Sequence, residues 1–156
     1  LATKLTAINN AKNYDDIKTK LNEIKDLGLA HVYFPSMRIY IRFDEYYKKL
    51  AILQTVIMPA LDAKIDILET GNPNQILASG SLRSTYTAVN TLLGTLKTDF
   101  DSTLTVEMVN ALNTPADSTL FATLKGKETI VRNNLTSIIQ QLRQLSSFIA
   151  SAEKLK

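Results

Sequence analysis

Apolar side chains recur along this chain in alternating steps of four and three residues, the spacing of one face of an α-helix. The clearest run lies towards the C-terminus and contains one charged residue. Its members are Leu124, Glu128, Val131, Leu135, Ile138, Leu142, Leu145, Ile149 and Ala152. Thr114 and Pro115 suit the cap and first position of a helix. The sequence therefore predicts a helix over residues 115–154, about 60 Å long at 1.5 Å per residue.

The same spacing predicts a second long helix, which begins near Ser36 and ends after Leu68, at Gly71-Asn72-Pro73. Its stripe consists of Ile39, Phe43, Tyr46, Leu50, Leu53, Ile57 and Ala60. Pro59 has no backbone N–H, and its ring clashes with the preceding turn of a helix. We therefore expect a kink or break near residues 55–58.

A third helix is predicted over residues 74–99, followed by a short connecting helix at residues 104–112. The large residues of the third stripe are Leu82, Tyr86, Val89, Leu93, Leu96 and Phe100. The N-terminal region has shorter apolar runs, with Asn13 suited to begin a helix and Gly28 to end one. Residues 29–35 are expected to be extended, because a residue before proline avoids the helical region.

Long helices joined by short loops favour antiparallel neighbours, and narrow four-three stripes favour shallow crossing angles. The sequence therefore predicts an all-α fold, an elongated antiparallel up-and-down bundle of four principal helices plus the short connecting helix. With 156 residues, of which 45% are hydrophobic, the chain can bury a core. Residues 1–156 are accordingly predicted to form one domain.

Composition excludes several kinds of catalytic and metal site. The chain has no cysteine and one histidine, so it cannot supply a thiolate site, a cysteine nucleophile or a multi-histidine zinc site. Five glycines are too few and too dispersed for a Gly-rich phosphate cradle. We therefore expect no enzymatic activity, no bound metal and no cofactor.

Charge and hydropathy limit the partners. The net charge of +3 is small, and both halves of the chain carry basic and acidic side chains, whereas a nucleic-acid binder concentrates Lys and Arg on one face. The longest nearly uncharged apolar run, residues 50–61, is shorter than the about 20 residues of a membrane span. We expect no nucleic-acid partner, and a membrane role only through flanking spans or rearrangement.

The absence of cysteine and a first residue that is not Met favour a processed or excised piece of an extracytoplasmic or secreted protein.

Acid–base potential is concentrated at His31 and Tyr33, near Asp44-Glu45, which we interpret as a loop histidine beside apolar neighbours. Asp15-Asp16 and Asp99-Phe100-Asp101 bring further carboxylates together in sequence. Adjacent side chains on a helix point about 100° apart, so we interpret these as helix-end or surface charges.

Aromatic and basic side chains alternate in the first part of the second helix. Tyr40 and Tyr47 are seven residues apart and share a helix face, flanked by Arg38 and Arg42. Tyr and Arg are enriched in interface hot spots. Two interpretations remain open, ordinary packing or a protein-binding surface made by Tyr40, Tyr47, Arg38 and Arg42.

The third helix carries a second stripe opposite its large residues, made of Gly80, Ser84, Thr87, Thr91, Gly94 and Thr98. Exposed helix faces normally carry charges, yet the only charged residues between Gln75 and Thr98 are Arg83 and Lys97. The stripe is either an ordinary solvated face or a surface that lets another helix approach closely. Its candidate binding residues are Gly80, Ser84, Thr87 and Thr91.

The leading hypothesis is a non-enzymatic helical-bundle module that acts through protein–protein binding or self-assembly. In length and helix layout the chain also resembles the four-helix ligand-binding domains of bacterial chemoreceptors and sensor kinases. That resemblance implies a small ligand bound between helices and membrane spans that flank the chain. A third hypothesis is a helical membrane-active toxin or toxin subunit, with residues 50–61 as its apolar segment and Pro59 as its hinge.

Overall fold

A computed structural model describes residues 15–19, 22, 34–113 and 118–156. These residues are almost entirely helical and include no β-strand, which confirms the predicted all-α bundle. Residues 15–19 form a short helical piece. The α-helices that follow in the described part are α1 (Phe34–Ile52), α2 (Met58–Glu69), α3 (Pro73–Asp99), α4 (Thr105–Asn113) and α5 (Ser118–Ala152).

The start of α1 corrects one expectation. Phe34 and Pro35, which were expected to be extended, belong to the helix, because proline is tolerated in a first helical turn, where its missing N–H has no partner to lose. Asn13, Gly28 and the segment 29–33 lie outside the described residues, as does the predicted helix start at residues 114–117.

Two π-helical segments, Leu53–Ile57 and Phe100–Leu104, connect α1 to α2 and α3 to α4 without interrupting the helical chain. In the first, the Met58 N–H donates to the Leu53 carbonyl, a step of five residues that is one longer than in an α-helix. Pro59 follows directly. The expected kink or break is therefore a widened turn, placed where a regular turn would bring a carbonyl against the proline ring.

The widened turn moves the buried stripe by one residue. After Leu50, the buried residues are Met58, Leu61, Ile65 and Leu68. Of the predicted core positions, Leu53 is instead half-buried, and Ile57 and Ala60 are exposed. A π turn holds an extra residue, so the side chains that follow it rotate onto different positions of the helix face.

The other two stripes lie where they were predicted. Every residue of the C-terminal stripe is buried in α5. In α3 the large residues are buried except Tyr86, which is half-buried. The junction between α2 and α3 is fixed by Asn72, whose Oδ1 accepts hydrogen bonds from the N–H groups of Asn74 and Gln75 and so caps α3.

The chain divides into two compact units. Unit 1 comprises Leu1–Tyr47 and Leu96–Arg132, and unit 2 comprises Lys48–Thr95 and Asn133–Lys156. The described core of unit 1 combines aliphatic and aromatic side chains, with the rings of Phe43 and Phe100 edge to face at 5.9 Å. The core of unit 2 is mainly aliphatic. None of the described helices combines the length and apolar character needed to cross a membrane.

Candidate functional site

Tyr40 lies in the core of unit 1, with 2% of its surface exposed. Its hydroxyl donates a hydrogen bond to the backbone carbonyl of Met108 in α4, at 3.0 Å. Burial raises the pKa of Tyr40 above the ordinary value for a tyrosine. Tyr40 is therefore not accessible to a protein partner, because its side chain is buried and its hydroxyl is bound to α4. This corrects its assignment to an exposed binding surface.

Tyr47 is half-buried and is held by contacts within unit 1. The Lys97 Nζ lies 4.6 Å from its ring centroid and donates to its hydroxyl at 2.7 Å. Lys97 also forms an ion pair with Asp101. Burial alone would lower the pKa of Lys97, but its hydrogen bonds with Asp101 and Tyr47 leave it raised. Much of the Tyr47 side chain thus serves the packing of its own unit.

Arg38 and Arg42 are exposed. Arg42 Nη1 lies 3.6 Å from Glu128 Oε2, although 57% of the arginine side chain remains in solvent. The predicted aromatic and basic surface is therefore reduced to two arginines and part of one tyrosine ring. This is a weaker basis for binding than the sequence pattern indicates.

Sequence reasoning assigned no role to Glu128, which is a buried carboxylate with 3% of its surface exposed. The Tyr46 hydroxyl donates to Glu128 Oε1 at 2.6 Å, while Arg42 approaches the second oxygen. Burial and the hydrogen bond with Glu128 raise the pKa of Tyr46 to about 12. In the sequence, Glu128 stands out as the one charged residue in the apolar stripe. The sequence does not indicate its partners, because Tyr46 and Arg42 lie on a distant part of the chain.

The four candidate residues of the second stripe of α3 are all exposed. We call Gly80, Ser84, Thr87, Thr91 and Gly94 the α3 outer face. The hydroxyls of Ser84, Thr87 and Thr91 donate to carbonyls four residues earlier in the same helix, at 3.0–3.1 Å. Their donor hydrogens are thus satisfied internally, so covering these hydroxyls costs less free energy than burying free ones.

The two glycines of the α3 outer face each leave open space where a side chain would lie. A Cβ added at Gly80 or Gly94 would meet nothing within 4 Å. Glycine in a helix interior costs about 1 kcal/mol relative to alanine. At its N-terminal end the face continues into Leu77, which is 82% exposed, and Ile76.

The one charged residue of α3 between Gly80 and Gly94 is Arg83. Arg83 pairs with Asp62 and Asp66 of α2, and its Nε lies 2.9 Å from Glu69 Oε1. These hydrogen bonds raise the pKa of Arg83, and the bond to Arg83 lowers the pKa of Glu69. The five residues of the α3 outer face are themselves uncharged, and the nearby Arg83 is held by the carboxylates of α2.

Two of the carboxylates that lie close together in sequence form ion pairs with lysines. Among the described residues, no group of three or more His, Cys, Asp or Glu side chains could hold a metal ion. Asp44 instead pairs with Lys18 at 3.4 Å, and Asp101 pairs with Lys97. His31 and Tyr33 lie outside the described residues, so their interpretation stays a prediction.

Comparisons with protein-family models, curated proteins and solved structures gave no match for this chain. The function is therefore argued from the geometry of the described residues.

Proposed function

We propose that this chain is a non-enzymatic, protein-binding helical-bundle module whose α3 outer face docks a helix of a partner protein or of a second copy. The observation that carries this proposal is the pair of exposed glycines, Gly80 and Gly94, at each of which an added Cβ would meet nothing within 4 Å. Glycine weakens the helix that contains it, but it allows the backbone of a second helix to come close. A docked helix would therefore explain why glycine is present at these two positions.

Three properties of the face favour a helix as its occupant. Small side chains allow close helix approach, and the hydroxyls are already hydrogen-bonded within α3. Charged residues are depleted in the cores of protein interfaces, and this face has none. The distance from Gly80 to Gly94 along α3 is about 21 Å at 1.5 Å per residue, which is long enough to contact several turns of a facing helix.

Self-association is the form of docking that tests the proposal without a known partner. We expect the wild-type chain to associate with rising concentration in sedimentation velocity. A Gly80→Gln/Gly94→Gln double variant should weaken association by about ten-fold or more, because its longer side chains keep helices apart and ten-fold corresponds to one lost contact of moderate strength.

Gly126→Gln is the matched control, because Gly126 also lies in a helix with nothing within 4 Å of an added Cβ. Glutamine forms helices better than glycine, so all variants should fold at least as stably as the wild type. Equal association of the wild type and the double variant contradicts docking through this face. A wild-type chain that stays monomeric restricts the proposal to a partner helix, whose binding the double variant must then weaken.

Membrane activity is the second candidate function, supported by one observation in unit 2. Ile52 and Val56 are more than half exposed within the apolar segment of residues 50–61, and Pro59 would act as the hinge for its release. Dye release from lipid vesicles at micromolar protein tests this function. Vesicles that stay intact would remove it.

A further inference from the structure

Unit 2 contains an open apolar groove of about 340 Å³. One wall is formed by Leu53, Ile57 and Ala60, and the other by Ile139 and Leu142 of α5. The first wall belongs to the widened turn at Leu53–Ile57 and the residues after it. This turn moves Leu53, Ile57 and Ala60 out of the core stripe. π-helical turns occur frequently at functional sites.

Two cations line the groove, and they differ in their surroundings. Lys64 is neutralised by Glu153, with Nζ and Oε1 2.8 Å apart. Arg143 is exposed and has no ion-pair partner among the residues that the structure describes. The groove thus combines apolar walls with one guanidinium group that is available to an anion.

The size of the groove decides which occupant fits. Nine residues line it, whereas a stable protein interface uses about 20–30 residues on each side. A volume of about 340 Å³ instead falls within the range of about 300–1,000 Å³ found for small-molecule sites. The groove is therefore too small to provide a stable interface for a protein helix.

We propose that the groove binds a single-chain amphiphilic carboxylate, that is, a free fatty acid of medium chain length. The alkyl chain would lie against Leu53, Ile57 and Leu142, and the carboxylate would accept hydrogen bonds from the guanidinium of Arg143. The proposal is independent of docking by the α3 outer face, since the two surfaces share no residue.

Sodium dodecanoate, kept below its micelle-forming concentration, is the probe. In an NMR titration of the full chain, we expect saturable shifts confined to residues that line the groove. Dodecyltrimethylammonium has the same chain length and the opposite charge, and acetate has the same head group without a long chain. Both should bind at least about ten-fold more weakly, because each lacks one of the two contacts.

Two substitutions with matched controls locate the site. Arg143→Gln should weaken dodecanoate binding about five-fold, the effect of a partly exposed ion pair, while Arg132→Gln in the same helix should not. Ile57→Gln should weaken it further by removing apolar contact, and Ile67→Gln, at an exposed isoleucine outside the groove, should not.

The inference is overturned if dodecanoate and dodecyltrimethylammonium bind equally, or if Arg143→Gln leaves the affinity unchanged. Shifts spread over the whole chain, as from detergent-like unfolding, would also overturn it. The inference is also overturned if free dodecanoate does not bind, while the chain binds phosphatidylcholine vesicles and Ile57→Gln abolishes that binding. The groove would then contact a lipid bilayer and not a free fatty acid.

Discussion

Glu128 places a carboxylate within the apolar stripe of α5, and the structure shows what makes it tolerable there. Tyr46 donates to one oxygen and Arg42 approaches the other, so the buried charge is hydrogen-bonded and partly neutralised. Removing one partner from such a group leaves a buried polar atom unsatisfied, whereas replacing both partners with apolar groups can be nearly neutral.

Tyr46→Phe is therefore expected to destabilise the fold by about 1–3 kcal/mol, and Glu128→Leu by a similar amount because it leaves the tyrosine hydroxyl without its acceptor. The double variant should lose much less than the sum of the two, since no buried polar group of the pair then lacks a partner. Urea unfolding of the four proteins measures this coupling. Additive losses would show that the two side chains do not act together.

Tyr40 illustrates what a residue pattern leaves undetermined. Its spacing from Tyr47 and its basic neighbours are compatible with ordinary packing and with a binding surface. Tyr40 is buried beside Ile39 of the four-three stripe, so the core face of α1 is wider than that stripe. The Tyr40 hydroxyl donates to the Met108 carbonyl of α4, which lies far away in sequence. No local pattern reports a backbone acceptor contributed by another helix.

Among the elements, the helix stripes could be predicted and the π-helical segments could not. The stripe of α5 depends on spacing alone and was confirmed in full. Pro59 correctly marked a local irregularity near residues 55–58, but not its form. A break and a widened turn both relieve the proline clash, and only the widened turn shifts Leu53, Ile57 and Ala60 to the surface. The groove that they line was consequently missed.

The cluster of Arg83 with α2 leads to an expectation at the scale of the element. Because Arg83 lowers the pKa of Glu69 below its ordinary value of 4.5, the stabilisation from this carboxylate is present above pH 4.5. It is lost as the pH falls through the lowered pKa. Arg83→Gln should therefore lower the melting temperature at pH 7, and its difference from the wild type should shrink below pH 4.5.

Arg143→Gln is the control for the acid titration, because Arg143 has no ion-pair partner within the described residues. Its melting temperature should differ from that of the wild type by the same small amount at both pH values. Added salt at pH 7 should narrow the Arg83→Gln difference, since exposed charges are screened. If the difference in melting temperature between Arg83→Gln and the wild type does not change with pH or salt, ion pairing does not account for it. The effect would then come from packing of Arg83 against Tyr86, whose ring centroid lies 5.7 Å from the Arg83 Cζ.

For the whole molecule, the sequence was sufficient to predict the all-α class but not to establish the function. The fold class follows from apolar spacing over the entire chain, which averages over local errors. The proposed function depends on which exposed face meets another molecule. Composition predicts the α3 outer face as a candidate, and the structure shows that its residues are exposed. The open space at its glycines is a tertiary property that the sequence does not contain.

Protection of a single thiol on the α3 outer face measures docking most directly, because the natural chain has no cysteine. Thr87→Cys introduces a thiol on the face. Thr123→Cys is its counterpart in α5, at an exposed threonine with the same hydrogen bond to a carbonyl four residues earlier. We expect the rate of maleimide labelling at residue 87 to fall as protein concentration rises or a partner is added, with no change at residue 123. A labelling rate at residue 87 that stays constant under all these conditions, or that falls only as much as the rate at residue 123, would contradict a docking function for this face.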